Sequence, residues 1–460
     1  MKENNDCRER LIQRFSGQHT EVLGLGISNL PLIDVLLAAG AKVTARDKAA
    51  REKFGEEKAK MLEEKGVSLV FGENYLDNLK GDTVFRSPGL HPHLPQLEKV
   101  RSEGKTVTSE MELFLELCPS HTIGITGSNG KTTTTTLTYR FLTENGHRAF
   151  LGGNIGSPLL PRVFEMTPED FAVLELSSFQ LFEMKHSTEI ALITNLSPNH
   201  LDYHRDMEEY IGAKKAIYRN SENKLLVLNA GDPITASLAK EAQGDVHFFN
   251  GQEGENAVYE KDGVIFCRGR EVMPTSSILL RGRHNVENYM AAIAATDGFA
   301  DDKKIRKVAE TFTGVEHRLE FVREKNGVKY YNGSIDSSPS RTAAALSAFD
   351  ERIVVIAGGY DKHIPYAPLG KPLCDKARVL ILCGATAPKI KEAVLACPDY
   401  SPEKTKIIEE PDLRAATLRA SAEALPGESV LLSPASASFD AFKNFEERGR
   451  FYKDIVNALR

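Results

Sequence analysis

Gly124-Ile-Thr-Gly-Ser-Asn-Gly-Lys-Thr-Thr133 follows a short apolar run and precedes a threonine-rich stretch. This order predicts a β-strand, a glycine loop and an α-helix. The N–H groups of such a loop close around phosphate oxygens, and the helix directs its positive end at them. Lys131 is then expected to reach the terminal phosphates, with Thr132 or Thr133 near Mg²⁺. Ile125 stands where the strict G-x-x-x-x-G-K-[ST] pattern has glycine, so a fortuitous strand, turn and helix is the alternative.

Apolar runs alternate with helix-like stretches on both sides of this loop. Examples are Glu21-Val-Leu-Gly-Leu-Gly26, Ala41-Lys-Val-Thr-Ala45, Phe171-Ala-Val-Leu-Glu175, Ile190-Ala-Leu-Ile-Thr194, Arg352-Ile-Val-Val-Ile-Ala357 and Val379-Leu-Ile-Leu-Cys383. Continuous apolar runs are typical of buried parallel strands. The sequence therefore predicts an α/β fold class with three tandem domains, residues 1–112, 113–316 and 317–460. Shorter β-like pieces at residues 246–249 and 264–267 predict an antiparallel insertion in the second domain.

The charge and composition of the chain argue against several classes of protein. Its 460 residues include 58 basic and 64 acidic side chains, and the net charge of −6 argues against a dedicated nucleic-acid binder. No stretch approaches the ~18 consecutive apolar residues of a membrane-spanning helix, and residues 1–14 lack the apolar centre of a signal peptide. The six cysteines form no C-x-x-C pair and are expected to be reduced thiols. We therefore expect a soluble, cytoplasmic protein without membrane insertion.

Polar side chains at the ends of predicted strands are candidate ligands. Glu175 ends one strand and His200 follows the next, and ligand sites of parallel sheets lie at the carboxyl ends of strands. For Glu175 the alternative is a buried carboxylate paired with a nearby base. His200 and His204 have the H-x-x-x-H spacing of a zinc pair, but Leu201 stands where a zinc hydrolase has its glutamate. Asp47, after the second strand, can accept hydrogen bonds from a ribose or a uracil, with a purely structural loop as the alternative.

Together these motifs resemble the Mur ligase family over nearly the whole chain. The glycine loop is similar to the family's ATP loop, with Ser128 where threonine is commoner. The other shared motifs, in family order, are Gly153-Asn154-Ile-Gly156, Leu174-Glu-Leu-Ser-Ser178, His200-Leu-Asp202, Gly282-Arg-His-Asn285-Val-Glu-Asn288, His317-Arg318 and Ser433-Pro-Ala-Ser-Ala-Ser438-Phe-Asp-Ala-Phe-Lys-Asn-Phe445. The last motif is similar to the branch of the family that adds D-glutamate.

The resemblance implies a fold and an activity. The implied fold has a Rossmann-like N-terminal domain that binds UDP, a P-loop ATPase central domain and a Rossmann-like C-terminal domain that holds an amino acid. The implied activity is ATP-dependent ligation of D-glutamate to UDP-N-acetylmuramoyl-L-alanine through an acyl phosphate, by a monomer, in peptidoglycan precursor synthesis. Alternatives are a sibling ligase with another amino-acid specificity, a folylpolyglutamate synthase and a nucleotide-binding regulatory pseudo-ligase. A complete UDP domain before the ATP loop argues against the folate enzyme.

The resemblance also implies roles for individual residues. The implied catalytic residues are Lys131, Lys214, His200 and Arg318. Implied ATP contacts are Gly127, Ser128, Asn129, Gly130, Lys131, Thr132, Thr133, Asn288 and Arg318. The implied ligands of two Mg²⁺ ions are Thr132, Glu175, His200 and Lys214, the last carbamylated by CO₂, with Lys215 as the alternative position. Implied substrate contacts are Ser28, Asp47 and Gly89 for UDP, Asn154 for the nucleotide sugar or a phosphate, and Ser337, Lys362, Ser438 and Phe445 for D-glutamate.

One segment departs from the family pattern. Asn332-Gly-Ser-Ile-Asp-Ser-Ser338 stands where many Mur ligases read Asn-Asp-Ser-Lys-Ala-Thr-Asn. Gly333 removes a carboxylate and Ile335 removes a lysine, so the ATP-site roles at these two positions are not carried over. The regulatory pseudo-ligase alternative depends on this departure.

Overall fold

The computed structural model describes residues 2–200, 203–220, 222–280, 282–362 and 364–459. The chain forms two compact units, one of Met1–Ser277 with Arg283–Glu310 and one of Ile278–Gly282 with Thr311–Arg460. Largely parallel sheets with intervening helices build both units, so the predicted α/β class is confirmed. The proposed boundaries at residues 112 and 316 stay predictions. Within the described ranges, no helix is both long and apolar enough to cross a membrane.

The first sheet of the larger unit is parallel, in the order β3-β2-β1-β4-β5. Its strands are β1 (His19–Leu23), β2 (Lys42–Asp47), β3 (Ser68–Phe71), β4 (Thr83–Arg86) and β5 (Thr106–Thr108). Its helices are α1 (Lys2–Phe15), α2 (Asn29–Ala38), α3 (Arg51–Phe54), α4 (Glu56–Glu64), α5 (Pro95–Ser102) and α6 (Glu110–Leu117). The carboxyl ends of β1, β2 and β4 therefore lie at one edge, where parallel sheets bind ligands.

The second sheet of this unit has the order β14-β13-β12-β11-β10-β9-β6-β8-β7. Its strands are β6 (His121–Thr126), β7 (Ala149–Gly153), β8 (Phe171–Glu175), β9 (Ile190–Ile193), β10 (Leu225–Asn229), β11 (Asp245–Phe249), β12 (Ala257–Lys261), β13 (Val264–Cys267) and β14 (Arg270–Pro274). The α-helices that follow are α7 (Lys131–Glu144), α8 (Ser178–Leu181), α9 (Met207–Lys215), α10 (Pro233–Ser237), α11 (Arg283–Ala295) and α12 (Asp302–Thr311), with 3₁₀ turns at Leu160–Glu165, Leu238–Glu241 and Thr275–Ser277. β13 is antiparallel to both β12 and β14, which confirms the predicted antiparallel insertion for residues 264–267. The prediction is wrong for residues 246–249, because β11 is parallel to both β10 and β12.

The sheet of the smaller unit has the order β15-β16-β20-β17-β18-β19, and β15 is its antiparallel edge strand. Its strands are β15 (Glu320–Lys325), β16 (Val328–Asn332), β17 (Ile353–Ala357), β18 (Ala377–Leu382), β19 (Lys406–Glu409) and β20 (Ser429–Leu432). Its helices are α13 (Pro339–Leu346), α14 (Gly370–Lys376), α15 (Ala387–Leu395), α16 (Leu413–Glu423) and α17 (Phe445–Ala458), with a 3₁₀ turn at Ala367–Leu369. The central strands β17 and β20 are buried along their whole length, as their continuous apolar runs predict.

Candidate active site

The glycine loop lies between β6 and α7, as the sequence predicts. Gly127 has φ of 143° and Gly130 has φ of 80°, conformations that side-chain-bearing residues rarely adopt. A Cβ at Gly127 would overlap Thr194 Oγ1, and one at Gly130 would overlap Asn288 Oδ1. Both glycines are therefore required by backbone conformation and by close packing. The loop then enters α7, whose N-terminus favours an anion.

The first prediction concerns this packing. We expect Gly127→Ala to weaken ATP binding about tenfold, because the added methyl group and the strained φ together cost ~1–3 kcal/mol in the loop. Titration of ATP by calorimetry measures the loss. Gly146→Ala is the control, since Gly146 also has positive φ (90°) but no atom lies within 4 Å of the added Cβ. Equal ATP affinity in the wild type and Gly127→Ala would contradict the expected role of the loop.

The two residues that follow β9 hold the glycine loop in place through hydrogen bonds, and sequence reasoning missed these contacts. Thr194 Oγ1 donates to Asn129 O at 2.6 Å, and Asn195 O accepts from Ser128 N at 2.8 Å. Asn195 Oδ1 also accepts from Asn129 N at 3.0 Å. The available signal was the position of the two residues directly after an apolar run whose strand lies beside β6. Ser128 itself is buried, and its Oγ donates to Ser197 O at 2.9 Å, so this hydroxyl stabilises the conformation of the loop.

Lys131 and Asn288 both lie at the loop. Lys131 Nζ donates to Gly127 O at 2.9 Å and to Ser128 O at 3.0 Å, so its ammonium lies over the loop. Asn288, buried on α11, accepts from Thr134 Oγ1 at 3.2 Å. Thr132, in the first turn of α7, is also buried. The structure therefore brings these predicted ATP and metal residues to one end of the sheet.

Glu175 ends β8, the strand next to β6, and is buried. Its Oε1 accepts from Asn154 Nδ2 at 2.9 Å. Its Oε2 is also buried and makes no hydrogen bond to the described residues. A buried carboxylate oxygen without a hydrogen bond is costly unless a cation or another donor completes it. Glu175 therefore has the chemistry of a Mg²⁺ ligand.

His200 has φ of 55°, a strained conformation for a residue other than glycine. Its ring lies 4.8 Å from the ring of Phe179, centroid to centroid. The following Leu201 and Asp202 lie outside the described residues. His204 is buried, and its Nε2 is hydrogen-bonded to Ser178 Oγ at 3.0 Å, so the protein already occupies this nitrogen. This geometry disfavours a zinc pair of His200 and His204.

Lys214, on α9, has an amine in the interior of the site. Its Nζ donates to Thr126 Oγ1 and to Gly127 O, each at 3.0 Å, and it lies 4.8 Å from the ring of Tyr210. Burial, together with the charge of Lys131, lowers the pKa of Lys214 well below its ordinary value, although Glu175 opposes the shift. Lys215 points elsewhere, and its Nζ pairs with Glu241 at 2.7 Å. Lys214 is thus the lysine that faces the glycine loop.

The predicted UDP residues share the edge of the first sheet. Asp47 Oδ2 accepts from Leu25 N at 2.7 Å, and Oδ1 accepts from Ala49 N at 2.8 Å, so its carboxylate shapes the loop after β1. Ser28 belongs to that loop, and a Cβ built at its Gly24 would lie 2.8 Å from Ser87 Oγ. The loop after β4, which carries the exposed Gly89, is therefore its neighbour.

The predicted amino-acid residues lie at the carboxyl ends of the strands of the smaller unit. Tyr360 N donates to Ala437 O at 2.9 Å, which joins the loop of Lys362 to that of Ser438. Lys362 is exposed and Ser438 is buried. Phe445 begins α17, and Ser337 N donates to Ile335 O at 2.7 Å in the loop after β16.

Arg448 of α17 connects these loops through hydrogen bonds to their backbone, and sequence reasoning missed this residue. Its guanidinium is buried and donates to Ser436 O at 3.0 Å, to Ala437 O at 2.8 Å and to Ser334 O at 2.8 Å. Burial lowers the pKa of Arg448 to about 10. No local pattern distinguishes this arginine from others on the helix, so the sequence offered no signal.

Comparison with known proteins adds independent findings. Residues 125–296 match the Mur ligase middle domain, and residues 317–436 match the Mur ligase glutamate ligase domain. The chain is 50% identical over 441 residues to UDP-N-acetylmuramoylalanine--D-glutamate ligase of Clostridium novyi, covering 95% of this chain and 96% of that protein. It is 48% identical over 461 residues to the ligase of the same name from Acetivibrio thermocellus, covering 97% and 98%.

Solved structures with low sequence identity share the fold. The UDP-N-acetylmuramate-alanine ligase of Thermotoga maritima has a TM-score of 0.56 at 18% identity, covering 96% of this chain and 99% of that one. A UDP-N-acetylmuramoyl-L-alanyl-D-glutamate--2,6-diaminopimelate ligase also has a TM-score of 0.56 at 18% identity, covering 97% and 93%. At this identity the likeness concerns the fold alone.

Proposed function

The chain belongs to the Mur ligase family, and from this premise we propose that it joins D-glutamate to UDP-N-acetylmuramoyl-L-alanine in an ATP-dependent amide ligation. The observation that carries the assignment is 50% identity, over 95% of the chain, to a ligase named for that reaction. The reaction is a step of peptidoglycan precursor synthesis. We place it in the cytoplasm, where ATP is available, and propose that the chain acts as a monomer.

The chemistry explains why ATP is needed. A carboxylate oxygen is a poor leaving group, so the γ-phosphoryl group of ATP is first transferred to the L-alanine carboxylate. The amine of D-glutamate attacks the acyl phosphate carbon, the C–O bond to phosphate breaks, and phosphate leaves while the amine loses a proton. Positioning and charge stabilisation dominate phosphoryl transfer, so no covalent nucleophile of the protein is needed. Lys131 supplies one positive charge at the loop, and Arg318 of the smaller unit is proposed to supply another at the γ-phosphate.

Mg²⁺ suits the residues at the carboxyl ends of β6 and β8. Glu175 Oε2 lacks a hydrogen bond in the described chain, and Thr132 opens the helix after the loop. We propose that these two residues, His200 and a carbamylated Lys214 hold two ions. When bound, Mg²⁺ neutralises charge on phosphate oxygens.

A carbamate at Lys214 resolves an electrostatic conflict. A free ammonium at this position lies beside Lys131 and would repel both that residue and a metal ion. Burial and the charge of Lys131 favour the neutral amine, which is the form that attacks CO₂. The new N–C bond gives a carbamate anion after loss of a proton, and an anionic oxygen is a suitable Mg²⁺ ligand.

We propose that the remaining site residues contact ATP and the substrates. Gly127, Asn129, Gly130 and Thr133 hold phosphates through the loop, and Asn288 contacts the adenine. Ser28, Asp47 and Gly89 contact UDP, and Asn154 contacts the nucleotide sugar or a phosphate. Lys362, Ser337, Ser438 and Phe445 hold D-glutamate. Thr133, Asn288 and Phe445 lie on helices and Asp47 ends β2, whereas the other residues lie in loops that follow strands. Ligands of parallel sheets bind at this position, which supports the proposal.

A second prediction tests the amino-acid site. We expect Lys362→Ala to raise KM for D-glutamate about tenfold or more, with a smaller effect on kcat, because a hydrogen bond to a charged group contributes ~1.5–3 kcal/mol. Steady-state kinetics at saturating ATP measure both constants. Lys371→Ala is the matched control, since Lys371 is exposed and pairs with Asp399 at 2.8 Å. An unchanged KM in Lys362→Ala would show that the pocket is assigned to the wrong loop.

Substrate-dependent release of ADP tests the function as a whole. The ligase should release ADP only when UDP-N-acetylmuramoyl-L-alanine and D-glutamate are both present. Parallel reactions replace D-glutamate with L-alanine, L-lysine or diaminopimelate. A sibling ligase would release ADP with one of these amino acids and not with D-glutamate. A regulatory pseudo-ligase would hydrolyse ATP slowly whichever amino acid is added.

A further inference from the structure

The turn of residues 87–90 follows β4 and carries Gly89, a proposed UDP contact. A hydrogen bond of 3.0 Å from the N–H of its last residue to the carbonyl of its first closes the turn. Tyr203, which lies between β9 and α9, contacts this turn from the second sheet of the same unit. Its Oη lies 3.2 Å from both Pro88 O and Leu90 O, so the hydroxyl donates to the backbone of the turn. The hydroxyl of Tyr203 therefore stabilises the conformation of a proposed substrate loop.

The other end of Tyr203 contacts His200, a proposed Mg²⁺ ligand. Tyr203 N donates to His200 O at 3.0 Å. The ring of Tyr203 packs edge to face on that of Phe179, 4.4 Å between centroids, and the ring of Phe179 packs edge to face on that of His200 at 4.8 Å. The positive φ of His200 is a strained conformation, which persists only where the surroundings impose it. Tyr203 and Phe179 are part of these surroundings.

Arg86 joins the same two places through a second set of contacts. It ends β4 and is only 4% exposed. Its Nη1 donates to Leu90 O at 3.1 Å, and its Nη2 donates to Phe182 O at 2.6 Å and to Phe179 O at 3.3 Å. One buried guanidinium thus fixes the turn after β4 relative to α8. The turn and the ring of Phe179 therefore hold defined positions between which Tyr203 packs.

We infer that Tyr203 is a positioning residue with two separable roles. Its hydroxyl holds the turn of residues 87–90 in place for the nucleotide sugar, and its ring, through Phe179, holds His200 in place for Mg²⁺. In both roles Tyr203 acts through other residues. This inference rests on the proposed function, which assigns UDP to the turn and Mg²⁺ to His200.

Tyr203→Phe tests the role of the hydroxyl, because it keeps the ring. We expect the Kd for UDP-N-acetylmuramoyl-L-alanine, measured by calorimetry without ATP or Mg²⁺, to rise about fivefold, since the turn loses a hydrogen bond. The Mg²⁺ concentration needed for half-maximal turnover should remain that of the wild type. Tyr330→Phe is the matched control, because its hydroxyl is hydrogen-bonded to Ser421 Oγ at 3.0 Å in the smaller unit. It should leave both quantities unchanged.

Tyr203→Ala tests the role of the ring. We expect the same loss of substrate affinity and, in addition, a rise of about fivefold in the Mg²⁺ concentration needed for half-maximal turnover, because Phe179 and His200 lose a packing partner. In a Phe179→Leu background, Tyr203→Ala should add little to the Mg²⁺ requirement, since residues that act through one another are not additive. Circular dichroism checks the fold, and Tyr203→Leu, which keeps most of the bulk, takes the place of the alanine variant if that variant does not fold.

Three results would each overturn the inference. They are a wild-type Kd in Tyr203→Phe, a raised Mg²⁺ requirement in Tyr203→Phe, and a wild-type Mg²⁺ requirement in the variant without the ring. Failure of the proposed function is distinguishable, because the wild type itself would then not bind UDP-N-acetylmuramoyl-L-alanine.

Discussion

Lys214→Ala is expected to lower kcat by at least ~100-fold, the lower range for losing one group that stabilises transition-state charge. The amine of Lys214 lies 3.0 Å from both Thr126 Oγ1 and Gly127 O, at the base of the phosphate loop. Its carbamate is proposed to ligate Mg²⁺, and alanine removes that ligand entirely. Steady-state turnover with all three substrates measures the loss, and circular dichroism checks that the variant is folded.

The neighbouring lysine provides the control. Lys215→Ala removes only a partly exposed ion pair with Glu241, and such pairs contribute ~0–1 kcal/mol. We expect turnover close to that of the wild type. Small carboxylates such as acetate should partly restore Lys214→Ala, because they can supply the missing anionic oxygen. Mild and equal effects in both variants, without rescue, would exclude a carbamate at this position.

Glu175→Gln is expected to cause a loss of similar size, at least ~100-fold in kcat. Glutamine keeps the shape of the side chain and an oxygen for Asn154 Nδ2, but it removes the charge from the oxygen that has no hydrogen bond in the described chain. The Mg²⁺ concentration needed for half-maximal activity should rise as well. Titration of Mg²⁺ against turnover measures both effects.

Glu165→Gln is the matched control, since Glu165 is exposed and pairs with Arg162 at 3.1 Å, away from the loop. It should leave the Mg²⁺ requirement unchanged. If Glu175→Gln behaves like this control, Glu175 is a structural carboxylate and not a metal ligand.

Local sequence signals predicted much of the site. The glycine loop is recognisable because Gly127 and Gly130 adopt backbone conformations that other residues avoid. Lys214 was assigned from the resemblance to Mur ligases, because helix geometry predicts only that Lys214 and Lys215 point about 100° apart and not which of them faces the loop. The requirement for glycine acts over a few residues, so the sequence shows it directly.

Contacts between distant segments could not be predicted in the same way. Thr194 and Asn195 form hydrogen bonds with the glycine loop, which is 65 or more residues away in the sequence. Arg448 forms one with Ser334, which is 114 residues away. Thr194 and Asn195 do follow an apolar run, but the sequence does not show which loop they contact, and Arg448 has no local pattern at all. Gly333 shows the same limit, because the sequence presents it as a lost carboxylate, whereas Asp336 Oδ2 lies 2.6 Å from the place that a Cβ of residue 333 would take.

The most direct test of the account is to follow an oxygen atom. UDP-N-acetylmuramoyl-L-alanine labelled with ¹⁸O in the alanine carboxylate is ligated to D-glutamate, and the phosphate released is analysed by mass spectrometry. An acyl phosphate transfers one labelled oxygen to phosphate for each amide formed, and this is the result we predict. Label appearing in AMP, or amide formation without label in phosphate, would contradict it.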